Sequence, residues 1–170
     1  MNAPLPEPLY VTSLDELFWA GTLMAITMTM HGFGMLTVLR VNFAIKDWIG
    51  AKEGLVFGIV PLIIASWMIM LVHLVEVAVW AGFFIWKGAF ANNSISYYFS
   101  LNEYTTVGSN YNLPVHWRLL EGMIATTGLL TFAWSTGILL TLAQEFQDHR
   151  TQLFKQRQPK QPPLQDKTTT

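Results

Sequence analysis

Three long apolar blocks constrain the fold of this chain more than any other feature of its sequence. Residues 17–39 and 122–143 contain no Lys, Arg, Asp or Glu, and residues 55–86 contain a single acidic side chain. A helix of roughly 20 apolar residues crosses the hydrocarbon core of a bilayer, which is about 30 Å thick. We therefore expect an all-α integral membrane protein whose three transmembrane helices cover residues 17–39, 55–86 and 117–146.

The composition supports a membrane protein and excludes several other classes. Hydrophobic residues make up 52% of the 170 residues and charged residues only 12%, about half the share that soluble domains carry. The net charge of −1 provides no basic surface for nucleic acid, so the expected partner is the lipid bilayer. The chain has no cysteine, which excludes disulfides and thiolate metal sites.

The segments outside the apolar blocks predict where the helices begin and end. Ser13 and Glu16 form the pattern of a capping box, which predicts a helix start after an N-terminal segment at residues 1–16. Arg40 ends the first apolar block, and we expect residues 40–54 to form a short polar connection. The polar residues 147–170 are predicted to be a disordered tail.

The distribution of basic residues predicts the orientation of the chain. Residues 40–54 and 144–170 carry three and five Lys or Arg residues, whereas residues 1–16 and 87–118 carry none and two. Basic residues accumulate on the cytoplasmic side of membrane proteins. We therefore expect the N-terminus outside the cell membrane, the C-terminus in the cytoplasm, and the connection before the third span on the outer face.

That outer connection contains a pattern typical of a re-entrant pore loop. Asn92 to Ser94 favour a helix start, the following helix is too short to span, and residues 105–108 read Thr-Thr-Val-Gly. Irregular backbone at membrane depth is tolerated where it is buried in protein or lines a water-filled cavity. There, backbone carbonyls can replace the hydration shell of a cation, and glycine permits the dihedral angles required. A chance match in an ordinary outer loop is the alternative.

Residues 94–142 resemble the pore module of tetrameric cation channels of the potassium-channel superfamily, including small prokaryotic ion-channel-domain proteins. The resemblance implies a pore loop at residues 92–113, a homotetramer, K⁺ or Na⁺ as permeant ion, and no other cofactor. It implies an ion filter formed by Thr105, Thr106, Val107, Gly108, Ser109 and Asn110. It implies filter support from Tyr98, Phe99, Asn102, Glu103 and Tyr111, and Gly128 is a candidate gating hinge. No catalytic residue is predicted, and we do not expect an enzyme.

The filter departs from the family pattern in its second half. The family continues Thr-Val-Gly-Tyr-Gly-Asp, whereas this chain has Ser109, Asn110 and Tyr111 after Gly108. Asn110 tolerates left-handed dihedral angles and partly substitutes for glycine, but Ser109 lacks the ring that braces the family filter. We therefore expect a channel that selects K⁺ weakly or not at all.

Three ionisable residues lie inside the first two spans. His31 is in the first, and His73 and Glu76 are three residues apart on the second. Such residues are costly in a membrane and are functional candidates. One interpretation is a structural or proton-linked contact between the two helices, and the other is a metal site. The second would make the chain a membrane metal-binding protein or enzyme. A third possibility is a channel-like scaffold that does not conduct.

Overall fold

The computed structural model describes residues 10–49 and 55–157, and these ranges contain helices and no strand. The helices are α1 (Leu14–Ile49), α2 (Leu55–Trp86), α3 (Asn93–Tyr104) and α4 (Leu119–Arg157), and a 3₁₀ turn at Val115–Trp117 precedes α4. Helices α1, α2 and α4 are each long and apolar enough to cross a membrane, so the predicted all-helical fold with three spans is confirmed at this level.

The first helix is longer than the sequence analysis predicted. It does not end near Arg40 but continues to Ile49, so most of the predicted connection at residues 40–54 is helical. Residues 40–49 contain neither Gly nor Pro, and Arg is a good helix former. Arg40 therefore marks the end of the apolar surface, not the end of the helix. Near its C-terminus, Lys46 forms an ion pair of 2.7 Å with Glu145 of α4.

The last helix also differs from its predicted bounds of 117–146. It begins at Leu119 and continues to Arg157, so residues 147–157, which we expected in the disordered tail, are helical. Gln, Lys and Arg have high helix propensity, and they are frequent in this stretch. The remaining tail, residues 158–170, and the N-terminal residues 1–9 lie outside the described part of the chain.

The buried faces of α1 and α2 carry the ionisable residues of their apolar blocks, His31, His73 and Glu76. On α1 the buried positions follow one another at spacings of three and four residues, as one helix face does. They are Glu16, Ala20, Leu23, Thr27, His31, Met35, Val38 and Asn42. Large apolar side chains such as Phe33 and Leu36 are exposed instead. A hydrocarbon solvent favours this arrangement of ionisable side chains inside and large apolar side chains outside, because charged and strongly polar groups are costly in lipid.

The short helix α3 packs between α2 and α4, while α1 packs on the other side of both. Its start is fixed as predicted, because the Asn92 side chain accepts a 2.8 Å hydrogen bond from Ser94 N–H. Its last residue, Tyr104, is 1% exposed. Two apolar clusters fill the interior, one around Trp80 and Phe84 near the end where α4 begins, the other around Met35 towards the opposite end.

Gly128 allows α3 to approach α4 closely. A methyl group at this position would overlap the carbonyl oxygen of Tyr104. Both residues are buried, and the overlapping atom belongs to the backbone, which cannot rotate away. The structure thus gives Gly128 a packing role, and its role as a gating hinge stays a prediction.

We predict that Gly128→Ala destabilises the fold by about 1–3 kcal/mol, the usual cost of overpacking a well-packed core. Gly137→Ala on the same helix is the matched control, because a methyl group there meets no atom within 4 Å. Thermal unfolding of both purified variants in detergent measures the difference. Equal unfolding temperatures for the two variants would contradict the proposed contact.

Candidate functional site

Five buried side chains form a closed ring of hydrogen bonds between the two apolar clusters. We call this group, Glu76, His31, Ser135, His73 and Tyr104, the polar ring. All four helices contribute to it, and the three residues predicted from the sequence, His31, His73 and Glu76, lie together in it. The structural, proton-linked and metal-binding roles of these three residues stay predictions.

The contacts of the ring can be followed from residue to residue. His31 Nδ1 lies 2.9 Å from Glu76 Oε1, and His31 Nε2 lies 3.2 Å from Ser135 Oγ. Ser135 Oγ lies 3.1 Å from His73 Nε2, and His73 Nδ1 lies 2.8 Å from the Tyr104 hydroxyl. Tyr104 closes the ring by donating to Glu76 Oε2. Each imidazole nitrogen and each carboxylate oxygen in the ring therefore has a hydrogen-bond partner.

Tyr104 connects the ring to the end of α3. Its hydroxyl also lies 2.6 Å from Thr131 Oγ1 on α4. Thr131 is twelve residues beyond the start of α4, which places it about 18 Å along the helix. The C-terminus of α3 therefore lies near the middle of the helix bundle.

His31, His73 and Glu76 also satisfy the distance requirement for a shared ion. One potential ligand atom of each lies within 4.8 Å of the others, and the three residues are buried. A metal would have to replace hydrogen bonds that these atoms already make, because each ring nitrogen and each carboxylate oxygen has a partner. The metal interpretation stays a prediction.

An apolar groove of about 320 Å³ leads from the surface to the ring. It runs between α2, α4 and the end of α3, and Thr105 lies on its wall. Three ring members, His73, Tyr104 and Ser135, form part of its lining. Of the ring members, His73 has the largest exposed fraction, at 8%.

The chain leaves α3 through a Schellman motif. Thr106 N–H donates to the carbonyl of Glu103 at 3.0 Å, and Val107 N–H donates to the carbonyl of Asn102 at 2.9 Å. Thr106 adopts the left-handed conformation that this motif requires, with φ of 61°. A β-branched residue is strained there, because its side chain crowds the backbone. Gly108, with φ of 81°, provides the second positive dihedral angle without that cost.

Four successive carbonyls point away from α3 as a result. The N–H groups of residues 106, 107 and 108 donate back to α3 carbonyls, and Ser109 N–H donates to the Glu103 carboxylate at 2.9 Å. In a trans peptide the carbonyl points opposite to the following N–H, and the described residues contain no cis peptide. The carbonyls of residues 105–108 therefore face outward, and none accepts a hydrogen bond within the described part of the chain.

Three carboxylates hold the loop between α3 and α4. Glu103 binds Ser109 N–H, Glu121 accepts from Leu113 N–H at 3.0 Å, and Glu16 of α1 accepts from Leu119 N–H at 2.6 Å. Each of these three hydrogen bonds satisfies a backbone N–H group near the start of α4 or in the loop before it.

The predicted capping box is only half formed. Glu16 N–H donates to Ser13 Oγ at 3.1 Å, but the Glu16 side chain does not complete the capping box because it binds α4 instead. Glu121 uses its carboxylate on the loop, and the described residues show no ion pair between Glu121 and Arg118. A backbone donor next to the carboxylate satisfies it without ordering a long arginine side chain.

The predicted filter-support residues divide into a buried and an exposed group. Phe99 is fully buried in the cluster around Phe84, whereas Tyr98 is 51% exposed and packs edge-on against Tyr111. Asn102 donates from its side chain to the Tyr98 carbonyl at 2.7 Å and offers its own carbonyl to the Schellman motif. These contacts hold α3 and the loop after it, and the filter-support role of these residues stays a prediction.

Comparison with protein-family models, with curated proteins and with solved structures finds no match. The resemblance of residues 94–142 to a channel pore module therefore depends on the sequence of these residues alone.

Burial raises the pKa of the Glu103 carboxyl above its ordinary value of 4.5, and the nearby negative charge of Glu121 adds to the increase. Folding therefore favours the protonated form, so this contribution to stability is present below pH 4.5 and is lost as the pH rises through the folded-state pKa. Glu103→Gln keeps an oxygen acceptor for Ser109 N–H and removes the charge.

We predict that Glu103→Gln unfolds at a higher temperature than the wild type at pH 7, and that the difference shrinks towards zero as the pH falls below 4.5. Glu103→Ala loses the acceptor and is expected to be less stable by about 1 kcal/mol at low pH. Asp148→Asn, which neutralises an exposed carboxylate on α4, is the control. A difference between Glu103→Gln and wild type that does not change with pH would contradict the prediction.

Proposed function

We propose that this chain is one subunit of a homotetrameric pore-loop cation channel in the cell membrane. In this proposal α3 is the pore helix, residues 105–110 form the ion filter, and α4 is the inner helix. The N-terminus lies outside and the C-terminus in the cytoplasm, as the distribution of basic residues favours.

The row of outward carbonyls on residues 105–108 is the observation that carries the proposal. Carbonyls that accept no hydrogen bond are costly unless water or an ion satisfies them. Rings of such carbonyls replace the water around a permeating cation in channel filters. The row begins at the C-terminus of α3, where the negative end of the helix dipole favours a cation.

The depth of α3 supports the same interpretation. The helix has 12 residues and is about 18 Å long, too short to cross a bilayer. Its last residue contacts Thr131, which lies twelve residues into α4. The chain then returns to Leu119, the start of α4, through the loop whose backbone N–H groups are bonded to carboxylates. A segment that enters to mid-depth and returns on the same side is what a pore loop requires.

A single chain leaves the proposed filter without a partner. Thr106, Val107 and Gly108 are exposed, and Val107 is 75% exposed although it is apolar. Four copies around an axis would bring these segments together and enclose the carbonyls. We therefore infer a homotetramer, with the exposed loop at its centre.

The second half of the loop supports weak selectivity. Tyr111 N–H donates to Ser109 Oγ at 3.1 Å, so the chain already turns at Ser109. The carbonyl row thus extends over residues 105–108, and fewer consecutive sites discriminate less well between K⁺ and Na⁺. Ser109 provides no ring to hold the width of the filter.

We predict a cation conductance with little preference between K⁺ and Na⁺ after reconstitution into planar bilayers. Bi-ionic reversal potentials measure the permeability ratio directly. A ratio close to one supports an incomplete filter, whereas a strong preference for K⁺ would contradict it. Absence of current from correctly folded tetramers would favour a scaffold that does not conduct.

Gly108→Asp is expected to abolish this conductance, because a carboxylate side chain at the filter would obstruct the ion path and bind the permeating cation. Gly88→Asp is the matched control, since Gly88 also has a positive φ, of 69°, but lies in the turn after α2. The two substitutions impose a similar backbone cost. Ion flux into liposomes should stop only with Gly108→Asp, and equal loss in both variants would show that folding alone was damaged.

The proposed assembly predicts a particle with four copies of the 19.2 kDa chain. Native mass spectrometry of the protein released from detergent micelles measures this number. A particle of one or two chains would leave the carbonyl row of each copy open to solvent and would contradict a channel built on one loop per chain.

A further inference from the structure

The polar ring has one contact more than its side chains can satisfy in their ordinary charge states. It contains five contacts, namely Glu76–His31, His31–Ser135, Ser135–His73, His73–Tyr104 and Tyr104–Glu76. Each contact needs one hydrogen. An ionised carboxylate brings none, and two neutral imidazoles, one serine and one tyrosine bring one each. Four hydrogens are thus available for five hydrogen bonds.

Additional neighbours do not remove this shortage. The Tyr104 hydroxyl has one hydrogen, and when it donates to Glu76 it accepts from His73 and from Thr131. Thr131 has one hydrogen, and its hydroxyl also lies 3.0 Å from the carbonyl oxygens of Thr127 and Gly128, so it adds at least as many contacts as hydrogens. If Ser135 donates instead towards Met35 Sδ, 3.9 Å away, the ring lacks two hydrogens in place of one.

The electrostatic argument points in the same direction. With ionised Glu76 and neutral histidines, the ring carries one negative charge among residues that are almost fully buried. An uncompensated charge between apolar clusters is expensive. No Lys, Arg or Asp in the described part of the chain is ion-paired or hydrogen-bonded to the ring, so neutralisation has to come from outside this set.

We propose that the polar ring is a binding site for one proton, which it takes from solvent and holds in the folded protein at neutral pH. The added proton changes the net charge of the ring from −1 to 0 and provides the fifth hydrogen. It resides on an imidazole, as an imidazolium–carboxylate pair, or on Glu76. In both cases every contact contains one hydrogen.

Within residues 10–49 and 55–157, the ring members are hydrogen-bonded to no other titratable side chain that would supply this proton. From α1 the ring has His31, from α2 His73 and Glu76, from α3 Tyr104, and from α4 only the neutral hydroxyls of Thr131 and Ser135. The apolar groove reaches His73, Tyr104 and Ser135, so the ring is not sealed from the surface of the chain.

Proton binding by the ring makes stability depend on pH in a defined way. Above about pH 6.5 the unfolded chain has neutral histidines and an ionised glutamate, so the folded chain binds one more proton than the unfolded chain. Stability therefore falls as the pH rises, by a factor of ten in the unfolding equilibrium constant per pH unit. The decrease ends at the pH where the folded ring releases its proton.

Glu76→Gln tests the proton count directly. A glutamine amide is uncharged, donates with its N–H and accepts with its oxygen, so it reproduces the hydrogen content of the proton-bound ring. We expect the tenfold change per pH unit between pH 7 and pH 9 in the wild type and its loss in Glu76→Gln. Glu145→Gln, which neutralises a half-exposed carboxylate far from the ring, should keep the wild-type slope.

The measurement uses the full chain in detergent with His116 and His149 replaced by Gln, so that His31 and His73 are the only histidines left. Nitrogen NMR of ¹⁵N-histidine, with infrared detection of protonated carboxyl, counts the ring protons in the folded state without any unfolding. One proton above the ionised-glutamate, neutral-histidine state at pH 7.5 supports the proposal. Two neutral imidazoles with an ionised Glu76 would overturn it. So would an equimolar transition metal that persists through purification, because the metal would then supply the missing positive charge.

Discussion

The buried carboxylate of Glu76 is the constraint on which the rest of the structure depends. Its side chain is fully buried and lies between two apolar clusters, where an unbonded carboxylate would cost several kcal/mol. Its two oxygens are bonded to His31 of α1 and Tyr104 of α3, so the burial of one acid fixes two other helices relative to α2. His73, one turn away on α2, extends the same bonds to Ser135 of α4. The need to provide hydrogen-bond partners for the Glu76 carboxylate thus fixes the register of the helices.

The loop after α3 takes its geometry from this ring. Tyr104 is the last residue of α3 and a member of the ring, and its carbonyl packs against Gly128. These contacts fix the end of α3 relative to α4. Thr106, two residues later, is held in a conformation that is unfavourable for a β-branched residue. Such strain persists where the surrounding structure determines the backbone and is frequent at functional sites. Here it turns the carbonyls of residues 105–108 outward.

The spans and the candidate ionisable residues could be predicted from the sequence, because apolar length and charge in a membrane are both strong constraints. The helix ends could not, since Arg40 ends an apolar surface without ending a helix. Tyr104 and Ser135 were also missed. Ser and Thr in a spanning helix usually donate to their own backbone, and Tyr104 was read only as the end of a short helix. Counting the hydrogen bonds that buried Glu76, His31 and His73 need would have indicated missing hydroxyl partners.

The proposed proton site and the proposed filter are adjacent in the chain, because Tyr104 is a ring member and Thr105 is the first filter residue. When the ring loses its proton, four hydrogens remain for five contacts, so one hydrogen bond is lost. The ring then has a net negative charge, which attracts the remaining donors. Tyr104 is one of those donors, and its carbonyl is directly followed by the outward carbonyls of residues 105–108. Gly128 leaves no free space beside that carbonyl. We expect a shift of the Tyr104 backbone to move the start of the carbonyl row, because the Tyr104 carbonyl is packed against Gly128. If the row holds a cation, the same shift changes the spacing of its ligands, so proton release and ion occupancy are linked through the backbone of a single residue.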